Sequence, residues 1–366
     1  MVNIYLNTSE IASFIGQNKW DYTTPFERLW KKYDSEYKVC LEQCNNKILD
    51  KKAQLVLIEN EKRIIDEKLN NKLITKRQHT KLLKENQAKK VEIDTLIEQV
   101  EKQIDNISLT EVQKIEKDLG KDIIQTISNA EKETDDKRKL TTNLIERMEK
   151  EGKIKEDKKQ ELLKQTESFI NKTHGTLKED SAITIFEHKY NVTLDTNQNY
   201  YKYLIHKTTE NMWYIGGKMD GIYINVDNPK ENYVVEVKNR TKGFFSVLRD
   251  YEKTQIQLYL LLTGFDKAKL VEKFNSRVRV TDIERDQEYI DNILEYMNIF
   301  IKSIEKFFKD FECKIQYIQM NDTEKQKFLN KLYINDILKL EKYKQEIKII
   351  ENQTKEDDLL SDLDDF

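Results

Sequence analysis

The stretch MWYIGGKMDGIYINVDNPKENYVVEVKNR, residues 212–240, reads as two strands folded back on one another. Aromatic and β-branched residues fill both halves, and Asp227-Asn228-Pro229 is a strong turn signal between them. Side chains alternate along a strand, so Glu236 and Lys238 share one side while Val235 and Val237 share the other. Val234 and Val235 make this strand apolar enough to be central. Such a strand has reason to present an acid and a base together when something charged stands in front of them. Asp220 is expected in the preceding strand, across the hairpin, beside Gly216, Gly217 and Gly221, where backbone can approach a ligand closely. Two carboxylates on neighbouring strands make a hard-oxygen site suited to Mg²⁺, which keeps several waters and takes few protein ligands. Taken alone, Glu236 and Lys238 also fit a surface salt bridge.

Outward from this stretch, hydrophobic periodicity predicts a helix over 177–190 and strands near 200–206, 211–226 and 232–238. A helix over 250–263, strands near 268–274 and 277–283 and a helix over 286–310 follow. The fold class expected is α/β (α+β), a central mixed sheet flanked by helices. Residues 35–172 differ abruptly: they contain no Pro or Trp, only two glycines (Gly120 and Gly152), and many Lys, Glu, Gln and Asn. Narrow apolar stripes such as Ile64, Ile65, Leu69, Leu73 and Ile93, Leu96, Ile97, Val100, Ile104 predict antiparallel helical hairpins or coiled coils. LITKRQHTKLLK (73–84) and KIKEDKKQELLK (153–164) repeat one form after the helix-breaking Asn70-Asn71 and Gly152, which points to two hairpins. The division expected is a core of 1–34 with 173–312, a helical insertion at 35–172, C-terminal helices over 313–354 and an acidic, disordered tail at 355–366.

Charged residues make up 35% of the 366, and Gly and Pro together number only 11, so long helix dominates over turns. The 63 basic and 66 acidic residues nearly cancel, and no gross positive field marks the chain as binding nucleic acid. Six acids lie in the last eleven residues, EDDLLSDLDDF, and without them the net charge changes sign. Three cysteines give no even disulfide framework, which favours a reducing compartment. Cys40 and Cys44, four apart, read as one face of a helix with no partner for a metal, and three cysteines are too few for a four-cysteine iron–sulfur cluster. The N-terminus has no signal-peptide pattern and no apolar run approaches a membrane span, so a soluble, intracellular protein is expected, in host cytoplasm or a viral factory if its source is viral.

Motifs in the same order along the chain resemble the lambda-exonuclease/YqaJ viral recombinase family of PD-(D/E)XK nucleases. Asp220, Glu236 and Lys238 form the reduced PD-(D/E)XK pattern, Asp-x(15)-Glu-x-Lys. HGTLKEDSAITIFEHKY (174–190) resembles the family's G-x-x-x-E-x-x-A helix, with Glu179 as its acid and Ile183, Phe186 and Tyr190 packing it on the sheet. YEKTQIQLYLLLTGF (251–265) resembles the Q-x-Q helix, with Gln255 in the active-site position, Leu258, Leu261 and Leu262 as core, and Gln257 outside the chemistry. NTSEIASFIGQNKWDYTTPFERLW (7–30) resembles the S-(D/E)-I-A-x-x-(I/L)-G opening of YqaJ proteins. VTDIERDQEYIDNI (280–293) resembles the closing strand–helix junction of the lambda-type enzyme, where Asp286 reads as a helix cap or first-turn acid. The resemblance covers about 1–34 and 173–310, and 35–172 has no counterpart in compact family members.

The resemblance implies a restriction-endonuclease-like core and a Mg²⁺-dependent DNA nuclease, with Mn²⁺ as a substitute. Its implied metal ligands are Glu179, Asp220, Glu236 and the carbonyl of Val237, with Lys238 positioning water and Gln255 supporting the site. Ser9 and Lys19 would bind DNA phosphate; from the residues alone Ser9 also reads as an N-cap with Glu10 in the first turn. The implied activity is a 5′–3′ exonuclease acting on duplex ends in viral or phage recombination or repair, with a single-strand annealing or replication/repair protein as partner. The lambda-type enzyme carries an additional Arg ahead of this Ser, whereas none of the eight residues before Ser9 is basic, so polarity and 5′-phosphate recognition do not transfer. Two alternatives stand: a catalytically inactive nuclease-fold coiled-coil scaffold binding DNA or a protein, and a site-specific endonuclease. The insertion reads as a spacer or homo-oligomerisation arm, or as an arm gripping DNA or a partner. The tail reads as a solvating segment or as an acidic, Phe-terminated tip like those of single-stranded-DNA-binding proteins.

Overall fold

The computed structural model describes residues 1–18, 20–129, 131–197 and 199–348. Among them the chain is mixed α/β, mostly helical, and clusters into two compact units. The first comprises Met1–Lys32, Glu179–Phe307 and the described residues from Asp322 on; the second comprises Tyr33–Lys178 and Phe308–Asn321. The sequence division assigned 313–321 to the C-terminal helices, whereas 308–321 cluster with the helical insertion. Helix α11 (Phe311–Gln319) presents Lys314, Ile315, Tyr317 and Ile318 as its buried residues there.

The first unit opens with β1 (Val2–Asn7), α1 (Thr8–Phe14) and α2 (Thr23–Tyr33, its last residue across the unit boundary). It continues with β2 (Tyr201–Lys207), β3 (Asn211–Gly217), β4 (Gly221–Tyr223), β5 (Tyr233–Asn239), α9 (Asp250–Thr263), β6 (Lys267–Phe274), β7 (Arg277–Glu284) and α10 (Gln287–Lys309). A single central sheet is not what forms. There are two mixed sheets, one ordered β1-β3-β2 and one ordered β4-β5-β6-β7. The strand expected over 211–226 breaks at 218–220, sending β3 into the first sheet and β4 into the second. Strand β1, which sequence periodicity did not mark, runs parallel to β3 from Val2 opposite Asn211 to Asn7 opposite Gly216.

Strand β5 is covered on both faces. Val235 and Val237 pack with Ala182, Ile183 and Phe186 of α8 (Glu156–Tyr190). Val234 packs with Ile256, Tyr259 and Leu260 of α9. Alternation therefore sends Glu236 and Lys238 to the α9 side, as period 2 requires. Tyr190 sits at the rim, its ring 4.8 Å from that of Phe186 and its surface exposed.

In the second unit, α3 (Tyr37–Asn70) and α4 (Lys76–Ser108) form a long hairpin, followed by α5 (Glu111–Leu119), α6 (Lys121–Ser128) and α7 (Thr134–Lys150). Cys40, Cys44, Ile48 and Ile58 line the buried face of α3, and burial pushes the Cys40 thiol up to about 11. The separate helix expected from 177 is the end of α8, which runs unbroken through His174-Gly175. Both repeated turns adopt one conformation. Lys72 and Gly152 take left-handed φ of 55° and 69°, and Leu73 N and Lys153 N donate to Lys68 O and Met148 O at 2.8 and 2.9 Å. Thr75 then opens α4 with a capping box to Gln78. No described helix is long and apolar enough to cross a membrane.

Candidate active site

Where the chain leaves β3 for β4, Asp220 is set in the break between the two sheets. Gly221 pairs with Val235 in the β4–β5 ladder, which brings Asp220 level with Glu236. The Asp220 carboxylate accepts the Val237 backbone N–H at 2.6 Å, fastening the break to the strand that carries Glu236 and Lys238. Close packing makes this possible: a side chain on Gly216 would run into Tyr200, and one on Gly217 into Thr8 Oγ1 at 2.5 Å. These glycines are required by approach of neighbouring side chains, not by backbone angle.

Glu236 is 2% exposed, and the ammonium of Lys238 hydrogen-bonds its Oε1. The other carboxylate oxygen, Oε2, is buried with no hydrogen-bond partner. Lys238 Nζ also donates to Gln255 Oε1 at 3.3 Å, and Gln255 Nε2 donates to the Tyr259 hydroxyl at 2.9 Å. Glu179, from α8, interacts directly with Asp220. Burial, reinforced by the Glu179 charge, pushes the Asp220 carboxyl up to about 6. Burial also raises Glu236, with the Asp220 charge adding and Lys238 opposing. Glu179 shifts upward for the same leading reason. Desolvation pulls Lys238 down, but the Glu236 carboxylate outweighs it and the ammonium is held charged.

Glu179, Asp220, Glu236, Lys238 and Gln255 therefore meet in one place, and Val237 contributes its backbone to it. Among the described residues no three carboxylate, imidazole or thiol groups already stand at ion-ligating spacing. Two of the oxygens concerned are held by Val237 N–H and by Lys238. The donor set nevertheless fits a hard cation: three carboxylates with raised proton affinity, and one buried carboxylate oxygen left without a donor.

Two phosphate-binding expectations fare differently. Ser9 is not the N-cap; Asn7 occupies that position and Ser9 is the exposed second residue of α1. The chain is still in β1 at Asn7, so the helix starts two residues earlier than the Ser9 signal implied. Lys19 lies outside the described residues. Asp286 accepts the Tyr289 N–H at 3.0 Å and is the cap of α10. Gln257 points to β7 and α10, donating to Glu284 O at 2.7 Å and accepting from Asp286 N at 2.9 Å. Leu258 is fully buried, while Leu261 and Leu262 are half-buried.

Sequence reasoning missed Thr8 and Tyr259, which hydrogen-bond one another beside Gly217 and tie α1 to α9 at the site. It also missed Arg240. Its guanidinium pairs with both oxygens of Glu252 at 2.6 and 3.0 Å and with Glu272 at 2.8 Å, both glutamates being buried. The alternation Glu236, Lys238, Arg240 continues one face of β5, and that period was the available signal.

No protein-family model matches the chain. No curated protein matches it either. Among solved structures, SSO0001 is 20% identical, with the match covering 50% of this chain and 83% of that one at a TM-score of 0.29. An alkaline exonuclease (LHK-Exo) from Laribacter hongkongensis is 14% identical over 50% of this chain and 87% of that one, with a TM-score of 0.30. Superposition at this level decides neither fold nor activity.

Proposed function

We propose that the chain is a metal-dependent nuclease of the PD-(D/E)XK type that hydrolyses phosphodiester bonds of DNA. The observation that carries this reading is the convergence of Asp220, from the break before β4, and Glu236 and Lys238, from β5, with Glu179 and Gln255 from two helices. Glu179, Asp220, Glu236 and the Val237 carbonyl would hold Mg²⁺, and Mn²⁺ would replace it. When bound, the ion polarises a phosphoryl oxygen and lowers the pKa of water. Lys238, held beside Glu236 and Gln255, would orient the attacking water and offset the charge of the phosphate. Gln255, fixed by Tyr259, keeps the ammonium on that side of the strand. By the resemblance of the 7–30 motif, Ser9 and Lys19 would bind DNA phosphate. The substrate is duplex DNA attacked from its ends, in recombination or repair.

The test compares linear duplex DNA, with and without a 5′-phosphate, with covalently closed circular DNA, in Mg²⁺ and in EDTA. Mg²⁺-dependent loss of the linear form with the circle spared supports the end-dependent reading. Cleavage of the circle replaces it with an endonuclease using the same residues. DNA binding without cleavage of either form overturns the enzyme.

A further inference from the structure

The ten residues Arg240–Arg249 leave Lys238 and lead into α9, and they form a basic and aromatic surface outside the chemistry above. Arg240 anchors the start of this loop through Glu252 and Glu272. Arg279, on β7, bonds the other Glu272 oxygen at 2.7 Å and donates to the carbonyl of Phe245, which fixes the middle. The Phe245 ring centre then lies 4.0 Å from the Arg240 guanidinium carbon and 4.6 Å from that of Arg249. The Phe244 ring lies 5.1 Å from Arg279 and 5.9 Å from Arg277, and meets Phe274 edge-on. The ladder register runs Asn239 opposite Lys273 and Phe274 opposite Arg277, so the β6–β7 turn and this loop stand at the Lys238 end of the sheet.

The four arginines divide into two kinds. Arg240 and Arg279 are bound to carboxylates and hold the structure. Arg249 and Arg277 are exposed, and among the described residues neither is in a salt bridge with a carboxylate; each rests against a phenylalanine ring. A guanidinium backed by a ring keeps its charge and its donors while its plane is restrained. That combination suits phosphates and unstacked bases together, since Arg planes and aromatic rings both take bases by stacking. In a duplex the faces of the bases are already covered by their neighbours.

We propose that Arg249 and Arg277, backed by Phe245 and Phe244, form a platform that takes an unpaired DNA strand beside the cleavage site. This rests on the nuclease reading and assigns the strand form that the enzyme holds there. The test is fluorescence anisotropy of the full chain in EDTA with a labelled oligothymidylate and with a blunt duplex of equal length. The double variant R249A/R277A is expected to weaken oligothymidylate binding about tenfold or more and duplex binding less than about threefold. The double variant R249K/R277K keeps the charge without the plane, and is expected to lose about fivefold or more on the single strand while its salt dependence stays near that of the wild type. Single-strand binding by the lysine variant equal to wild type overturns the platform in favour of charge alone. Equal losses on the two DNA forms, or no loss in the alanine variant, overturn it as well. Binding in EDTA requires no hydrolysis, so a failure of the nuclease reading shows separately, as wild-type protein that shows this binding pattern but cleaves nothing in Mg²⁺.

Discussion

At the scale of single residues, the proposed chemistry depends on buried charge held close together. Replacing Asp220 with Ala removes an anion from the site and frees the Val237 N–H. Cleavage is expected to fall by about 10²–10⁴-fold or more, with far-ultraviolet circular dichroism unchanged. Lys238→Ala is expected to match that loss in rate while leaving DNA binding in EDTA within a few fold. The acidity of Asp220 also makes a stability prediction. Its carboxyl is raised from 3.8 to about 6 in the folded chain, so the folded state binds the proton more tightly than the unfolded state does. In EDTA this contribution is fully present below about pH 4 and is lost as pH rises through about 6, with a slope of roughly 1.4 kcal/mol per pH unit between the two. Asp220→Asn should flatten that part of the urea-unfolding profile, and an unchanged slope would contradict the burial assigned to Asp220. Glu236 and Lys238 were legible because strand period 2 fixes their side from local sequence. Thr8 and Tyr259 were not, because a contact across some 250 positions leaves no periodic trace in either segment.

Elements show the same division between local and distant information. The two turns before α4 and α8 were readable from short breaker signals, and their shared left-handed residue sets up a direct comparison. Lys72→Gly should stabilise the protein by about 0.5–1 kcal/mol and Gly152→Ala should destabilise it by about 1 kcal/mol, measured by thermal or urea unfolding. A stabilising Gly152→Ala would contradict the turn geometry. Gln257 gives a second measure at this scale. It joins α9 to the end of β7 through two part-buried bonds, so Gln257→Ala should cost about 1–3 kcal/mol in unfolding free energy while leaving the proposed cleavage rate of the folded protein nearly unchanged. The split of the predicted 211–226 strand was hidden from sequence because the runs on either side of Gly216 to Gly221, 212–215 and 222–224, are both apolar or aromatic and read as one strand. The packing of Tyr200 and Thr8 on the two glycines requires that break to lie where it does, and both come from elsewhere in the chain. Continuity of α8 was hidden for the opposite reason. Gly175 looks like a terminator, yet a single glycine inside a 35-residue helix weakens it by only about 1 kcal/mol.

For the whole molecule, composition made the helical character of 35–172 legible, and α3 to α7 lie there. It did not show that residues 308–321 return to that unit. Their burial depends on Lys314 reaching Asp34 and Glu36, a match made of three charged residues that look solvent-facing in sequence. The acidic C-terminal tail expected over 355–366 lies outside the described residues. With a net charge of −3, the proposed affinity for DNA would have to arise from local surfaces, such as the exposed arginines at the Lys238 end of the sheet, and not from the overall field. The most direct measurement of the central claim is cleavage of linear duplex DNA by the full chain and by Asp220→Ala, side by side in Mg²⁺ and in EDTA. The expected result is cleavage by the wild type in Mg²⁺ alone and none by the variant, with both proteins equally folded. A fully active Asp220→Ala, or wild-type cleavage undiminished in EDTA, would contradict it.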